Sequence, residues 1–155
     1  MKLPFSSRMI VAVLAIFSSD VAFAQNATLS SDTTALVRSG GTVTLTATAD
    51  YDATPGALGW SIALPADWTL VSVSGPNVPA IAPEPGSAGT LEFAYTSVPA
   101  QRAEFSVQVH YPANASAIKA TPTVLVRSGG KLITLTPPAV EFRPAGDVSI
   151  QQTRN

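Results

Sequence analysis

The segment from Ala57 to Pro76, ALGWSIALPADWTLVSVSGP, constrains the fold of this chain more than any other stretch. In its first half, apolar residues at positions 58, 60, 62 and 64 alternate with small residues. Alternation with period two is typical of a β-strand that is buried on one face only. Pro65-Ala66-Asp67 then predicts a turn, because proline removes a ladder donor and aspartate favours turns. Trp60 lies in phase with Leu58 and Ile62, so we expect it in the core. After the turn, Trp68 is expected to re-enter the core beside Val71 and Val73.

Two other segments show the same alternation, Thr42 to Asp50 and Ala103 to Tyr111. In both segments we expect the apolar side chains to point inward and the polar ones outward, as in an antiparallel sheet with one solvated face. The side chains predicted to face solvent are Thr42, Thr44, Thr46 and Thr48 on the first segment and Glu104, Ser106, Gln108 and His110 on the second. These outward rows are the candidate contact surface.

The whole chain predicts an all-β fold. No stretch has the apolar 3.6-residue period of an amphipathic helix, and about nine short strands are separated by turn signals. This pattern favours a two-sheet antiparallel β-sandwich of the immunoglobulin-like or jelly-roll type. Ile118 to Val126 and Lys131 to Thr136 predict a hairpin. Gly75 to Gly89 is rich in proline and glycine and predicts a long loop over one end of the sandwich.

The hexapeptide LVRSGG occurs twice, at 36–41 and at 125–130. Two strand-turn-strand units could use the same turn chemistry, or an element could have been duplicated. The separation (125 − 36 = 89 residues) is far from the repeat periods of roughly 20–50 residues that mark repeat architectures. The first interpretation is therefore favoured.

The N-terminus predicts export. Lys2 and Arg8 accompany an apolar run at Met9 to Phe17, and Ala22-Phe23-Ala24 fits a cleavage site, so we predict a signal peptide at 1–24. The apolar run is shorter than the roughly 20 residues of a spanning helix, so we expect no membrane-spanning segment after cleavage. The exported protein would be secreted, periplasmic or on the cell surface. We predict a flexible segment at 25–32, the sandwich at 33–144 and a flexible tail at 145–155.

The composition of the chain limits the classes of partner that it can bind. The exported chain would have 131 residues (155 − 24), with 7 basic and 9 acidic residues and a net charge of −2 (7 − 9). No cluster of basic residues provides the electrostatic footprint of a nucleic-acid-binding protein. The chain has no cysteine, so its core must hold without disulfides. This is more typical of a bacterial exported protein than of a eukaryotic one.

Six short segments between about Arg38 and Tyr111 follow one another in a characteristic order. They are Gly41–Thr46, Leu58–Ile62, Pro65–Trp68, Leu70–Gly75, Gly89–Phe93 and Phe105–Val109. In this order they resemble the cohesin-like and carbohydrate-binding-module β-sandwiches of bacterial extracellular proteins. The resemblance implies a non-catalytic module whose partner is a polysaccharide or another extracellular protein.

Five residues are the candidates for ligand binding. Tyr51 in the segment YDATPG and Trp68 at the turn would offer aromatic rings, which can stack on sugars when exposed. Glu104, Gln108 and His110 would offer polar groups on an outward strand face.

Catalysis is poorly supported by the sequence. The chain has no cysteine and a single histidine, so a Ser-His-acid triad would need His110. Ser106 shares its face but lies about 13 Å away along a strand that rises roughly 3.3 Å per residue. Glu92 and Glu104 fall on strands that could be hairpin neighbours, but an exposed sheet face is a poor place to raise a carboxyl pKa. We expect no enzyme.

No cofactor is expected either. Asp50 and Asp52 could offer oxygen ligands to Ca²⁺, but an isolated Asp-x-Asp more often forms a turn.

Two functions remain open from the sequence. The first is an exported non-catalytic binding or adhesion module. The second is a structural or assembly subunit of an envelope or extracellular structure, because threonine-rich strands of low charge could pair edge to edge with copies of themselves.

Overall fold

The computed structural model describes residues 25–146, and these form ten β-strands in two sheets. The predicted all-β two-sheet sandwich is confirmed, with ten strands instead of about nine. The predicted signal peptide at 1–24 and residues 147–155 of the predicted tail lie outside the described residues. The strands are β1 (Gln25–Ser31), β2 (Ala35–Leu36), β3 (Gly41–Tyr51), β4 (Ala57–Ala63), β5 (Thr69–Ser74), β6 (Thr90–Ala94), β7 (Arg102–Tyr111), β8 (Ile118–Ser128), β9 (Lys131–Leu135) and β10 (Val140–Pro144).

The two sheets have different widths. The first sheet contains four strands in the order β1-β3-β7-β5, all antiparallel. The second contains six, in the order β2-β10-β8-β4-β6, with β9 also paired to β8. The pairs within the second sheet are antiparallel except β2 with β10, which is parallel. Within the described residues no helix could span a membrane.

The predicted inward faces form the core between the sheets. Trp60 is 2% exposed and Phe105 is fully buried. The Phe105 ring, on the first sheet, packs against two rings of the second sheet. Its centroid lies 6.0 Å from that of Trp60, in an edge-on arrangement, and 5.0 Å from that of Phe93. Tyr95 completes this cluster, with its ring centroid 6.4 Å from that of Phe105. Aromatic packing therefore joins the two sheets directly.

A second aromatic cluster lies beside the predicted turn. The N–H of Trp68 donates to the carbonyl of Pro65, and Asp67 takes a positive φ of 65°, so the chain turns where the sequence predicts. The Trp68 ring then packs against Tyr111 at 5.4 Å and Phe142 at 5.0 Å.

The predicted hairpin is confirmed. Strands β8 and β9 are joined by Gly129 and Gly130, which both have positive φ, as a tight hairpin turn requires. The two LVRSGG segments are used differently. Leu125 is paired in this hairpin and 45% exposed, whereas Leu36 is buried in β2, from which the chain crosses to the other sheet. The glycines also differ, since Gly129 and Gly130 both have positive φ whereas in the first segment only Gly40 does, so the two segments form neither a duplicated unit nor the same turn.

The long segment at 75–89 has no strand, as predicted, but it does not lie over an end of the sandwich. It runs along one side and bonds to the edge strands of both sheets. Ile81 exchanges backbone hydrogen bonds with Ala94 of β6, and the Leu70 N–H of β5 donates to the Ser87 carbonyl. The hydroxyl of Tyr95 donates to the carbonyl of Asn77. The prediction placed the loop wrongly because sequence does not show which strands form the sheet edges.

The predicted flexible segment at 25–32 is wrong. Its residues Gln25–Ser31 form β1, which pairs with β3 over its whole length. Ala27 and Leu29 are each 8% exposed, while Asn26, Thr28 and Ser30 face solvent. A polar segment with only two aliphatic residues forms a strand here because both of those residues reach the core.

Replacing Phe105 by alanine tests the aromatic packing between the sheets. We expect F105A to lower the free energy of unfolding by about 3–5 kcal/mol, the usual cost of deleting a buried phenylalanine ring. The matched control V78A removes a side chain from the surface of the 75–89 loop and should change it by less than about 0.5 kcal/mol. Urea unfolding followed by tryptophan fluorescence measures both values. Equal effects would contradict the assignment.

Tyr95 should lower the free energy of unfolding at alkaline pH. Burial, and secondarily Tyr51, raise the pKa of Tyr95 above the ordinary value of 10.0. Above that pH the unfolded chain loses the tyrosine proton while the folded chain keeps it, so the free energy of unfolding should fall as pH rises. Y95F should flatten this fall and should leave the curve below pH 10 parallel to that of the wild type. Urea titrations at a series of pH values measure the slope, and an equally steep fall in Y95F would contradict the role of Tyr95.

Candidate functional site: the polar face of the four-stranded sheet

The outer face of the first sheet is polar in its described strands except at Val71, which lies in the bulge of β5 between Leu70 and Ser72 and is 36% exposed. Alternation in β3 and β7 turns their apolar residues into the core, so every second residue faces outward. We call this surface the polar face. It consists of Asn26, Thr28 and Ser30 on β1, Thr42, Thr44, Thr46 and Asp50 on β3, Arg102, Glu104, Ser106, Gln108 and His110 on β7, and Thr69, Ser72 and Ser74 on β5. Thr48 has the same parity on β3 but is only 7% exposed, so the expectation that it faces solvent is wrong.

Strand register arranges these side chains in rows across the sheet. Gln108 of β7 lies between Thr44 of β3 and Ser72 of β5. Ser106 lies in the next row, where its hydroxyl is 3.4 Å from that of Thr46. Neighbouring strands lie about 4.8 Å apart and alternate residues on a strand about 6.8 Å apart. The face is therefore a regular grid of hydroxyl and amide groups.

The charges of the polar face gather at one end. The Arg102 guanidinium lies 3.6 Å from the Asp50 carboxylate and 3.1 Å from that of Glu104. These exposed ion pairs contribute little to stability. One guanidinium faces two carboxylates, so this end keeps a net charge of −1 (1 − 2). The rest of the face, from Ser106 to His110 and the rows beside them, carries hydroxyl, amide and imidazole groups.

Three of the predicted binding residues come together here. Glu104, Gln108 and His110 lie on the outward side of β7, the strand between β3 and β5. His110 is exposed and Gln108 is half-buried. Glu104 is already engaged by Arg102, so among these three the side chains of Gln108 and His110 are the ones without a hydrogen bond to a described residue.

The two predicted aromatic binding residues are not available to a ligand. Trp68 is 1% exposed, and its ring is enclosed by the second aromatic cluster. Tyr51 is 6% exposed and ends β3, so it does not stand in an open loop. Its hydroxyl donates to the carbonyl of Pro99, and burial together with Asp50 raises the pKa of Tyr51. Both side chains hold loops against the core, and their prediction as stacking residues is wrong. The core position expected for Trp68 is confirmed, whereas the one expected for Val71 is wrong.

The surroundings of His110 do not make a catalytic centre. Its register neighbours are Thr42 and Thr69, neither of which carries a carboxylate. Glu92 and Glu104 are not hairpin neighbours, since Glu92 lies on β6 of the second sheet and Glu104 on β7 of the first. The expectation that their strands pair is therefore wrong, because two strands that follow each other in sequence belong here to opposite layers.

The possible calcium site at Asp50 and Asp52 stays a prediction. Asp50 points outward from β3 and pairs with Arg102, while Asp52 lies in the bend that follows Tyr51. Within residues 25–146 no three acidic or histidine side chains cluster as metal ligands would.

Sequence reasoning missed a groove on the opposite face of the molecule. On the outer face of the second sheet, Gly59 and Ala94 lie in one row between the exposed side chains of Leu125 and Ile81. The small residues leave a shallow groove of about 510 Å³ between these aliphatic groups. The signal available in the sequence was the small outward residues of the Ala57–Ala63 strand.

Comparison with known proteins supports the fold. Neither a protein-family model nor a curated protein matches the chain. The full-length major pilin SpaD from Corynebacterium diphtheriae is similar in structure, with a TM-score of 0.56 and 14% identity over 76% of this chain. The match spans 35% of the pilin, about a third of its length. The chitin-binding domain of a hyperthermophilic chitinase from Pyrococcus furiosus matches with a TM-score of 0.43 and 17% identity, covering 69% of this chain and 91% of the domain.

At these identities the likeness to the pilin concerns the fold and not the function. Neither structure is described as a cohesin, so the cohesin-like resemblance stays a prediction. The chain is thus a β-sandwich similar in fold to part of a major pilin, and its function has to be argued from its own surface.

Proposed function

We propose that this chain is an exported, non-catalytic binding module that contacts a neutral polysaccharide through the polar face. The observation that carries the proposal is the grid of uncharged polar groups on β3, β7 and β5, centred on Gln108. A polysaccharide presents a repeating array of hydroxyl groups, and each can donate and accept hydrogen bonds. An extended sheet face with free amide and hydroxyl groups matches such a ligand in chemistry and in shape.

The rigidity of the sheet supports binding by hydrogen bonds. Threonine is β-branched and has few side-chain conformations to lose, so the row on β3 can bind at a small entropic cost. Arg102 with Asp50 and Glu104 leaves a net charge of −1 (1 − 2) at one end, which favours a neutral ligand over an anionic one. Because no aromatic side chain stacks at this face, each contact is weak, and affinity would come from many contacts along one polymer.

The predicted signal peptide supports export, and an exported protein would meet polysaccharides outside the cell. The lack of a carboxylate beside His110 supports a role without catalysis.

A second candidate function is a structural or assembly subunit. It is favoured by the edge strand β1, which has no charged residue and, among residues 25–146, no strand beyond it. In this case the partner would be a protein, and the polar face would lie along the surface of the assembly.

Removing polar groups from the centre of the face tests polysaccharide binding. The double variant T44A/Q108A should bind insoluble cellulose, chitin or xylan more weakly than the wild type in sedimentation assays. Two lost hydrogen bonds at about 1 kcal/mol each correspond to roughly 30-fold weaker binding. The control T121A/T123A removes polar groups from the outer face of the other sheet and should bind like the wild type.

Two outcomes would reject the proposal. One is the absence of binding to every polysaccharide tested. The other is normal binding by T44A/Q108A together with weaker binding by T121A/T123A, which would move the site to the groove between Leu125 and Ile81.

A further inference from the structure

The two long sides of the sandwich differ in how their edge strands are covered. On one side, the 75–89 segment bonds to β5 and β6 and closes the space between them. We call this the closed side. On the other side, the open side, β1 is the edge of the first sheet and β9 an edge of the second.

The hydrogen bonds of β1 show which of its backbone groups are free. The Asp32 N–H donates to the Thr44 carbonyl, which continues the ladder between β1 and β3. In an antiparallel ladder, bonded pairs alternate, so the even-numbered residues of β1 bond to β3. The backbone N–H and C=O groups of Ala27 and Leu29 therefore point away from the sheet, and no described residue bonds to them.

Strand β1 lacks most of the features that normally protect an edge, although residues 134–138 lie beside its first three residues. It has no charged residue, no proline and no bulge, and its register with β3 is unbroken from Gln25 to Ser31. Natural edge strands are usually short, charged, bulged or covered. The other exposed edges follow this rule, since β2 has two residues and β9 begins with Lys131 and is followed by Pro137.

We propose that β1 pairs antiparallel with β1 of a second copy of this chain. Full overlap of Gln25–Ser31 with itself places a two-fold axis at Thr28. Ala27 of one copy then lies opposite Leu29 of the other, so their free N–H and C=O groups form reciprocal hydrogen bonds. A second copy fits this edge because a strand without charge meets itself without like-charge repulsion, and because Ala27 and Leu29 face the core side in both copies.

The pairing would join the first sheets of the two copies into one continuous sheet. The two polar faces would then lie side by side on the same surface, with Thr28 at the junction. This inference goes beyond polysaccharide binding and does not depend on it, because it concerns the backbone of β1 and not the ligand of the polar face.

A single cysteine placed on the axis tests the register. Thr28 would face Thr28 of the second copy in a non-hydrogen-bonded pair, with Cα atoms about 4.5 Å apart, within the roughly 4.4–6.8 Å that a disulfide spans. The chain has no cysteine of its own. The T28C variant, purified after export, should therefore form a covalent dimer under mild oxidation. Non-reducing electrophoresis measures the fraction of dimer.

The variant S30C is the matched control. Ser30 is exposed on the same strand and face, but full overlap places it opposite Asn26, so two Ser30 residues lie about 13 Å apart along the strands. S30C should cross-link at least tenfold more slowly than T28C. Equal rates would contradict the register.

Dimerisation without cross-linking tests the contact itself. The wild type should pass from monomer to dimer as its concentration rises in light scattering. T28K places two ammonium groups at the axis and should raise the dimer dissociation constant at least tenfold, whereas T123K adds the same charge to the other sheet and should not. A wild type that stays monomeric at high micromolar concentration, with T28C cross-linking no faster than S30C, would overturn the proposal.

Discussion

The packing of Phe105 against rings of the opposite sheet is the contact on which the rest of this molecule depends. It fixes the phase of β7, because a strand that buries Phe105 must also bury Val107 and Val109 and expose the residues between them. A shift of one residue would turn the apolar row to solvent and the polar row into the core. The outward positions of Gln108 and His110 are thus a consequence of packing beneath the sheet, and the polar face is as well defined as the core that supports it.

Local patterns predicted the orientation of side chains well, and they predicted the neighbours of strands poorly. The alternation in β3, β4 and β7 gave the correct inward and outward faces, and the turn at Pro65 and the β8–β9 hairpin lie where expected. These features depend on residues close in sequence. The separation of Glu92 from Glu104 into different sheets depends on pairings between distant segments, and a single sequence gives no signal for them. The same limit explains the misplaced 75–89 loop.

Tyr51 shows that the alternation of β3 continues further along the chain than predicted. Tyr51 has the same parity as Leu45, Ala47 and Ala49, so continuing the alternation to the end of β3 would have placed it in the core. The aspartates on either side of it suggested a loop instead. Trp68 is a different case, since a residue at a turn has no strand phase until the turn is known. The prediction of β1 as flexible failed because two aliphatic residues suffice for a strand when a long neighbour such as β3 offers a complete ladder.

The 75–89 segment has a further consequence for how such a molecule can associate. A sandwich able to accept a strand on both flanks could add copies without end and grow into a fibre. Here the prolines and the bonds to β5 and β6 leave one flank unable to accept a strand. Under the proposed pairing of β1, association through backbone pairing would then terminate after a single step, because the loop covers the opposite flank.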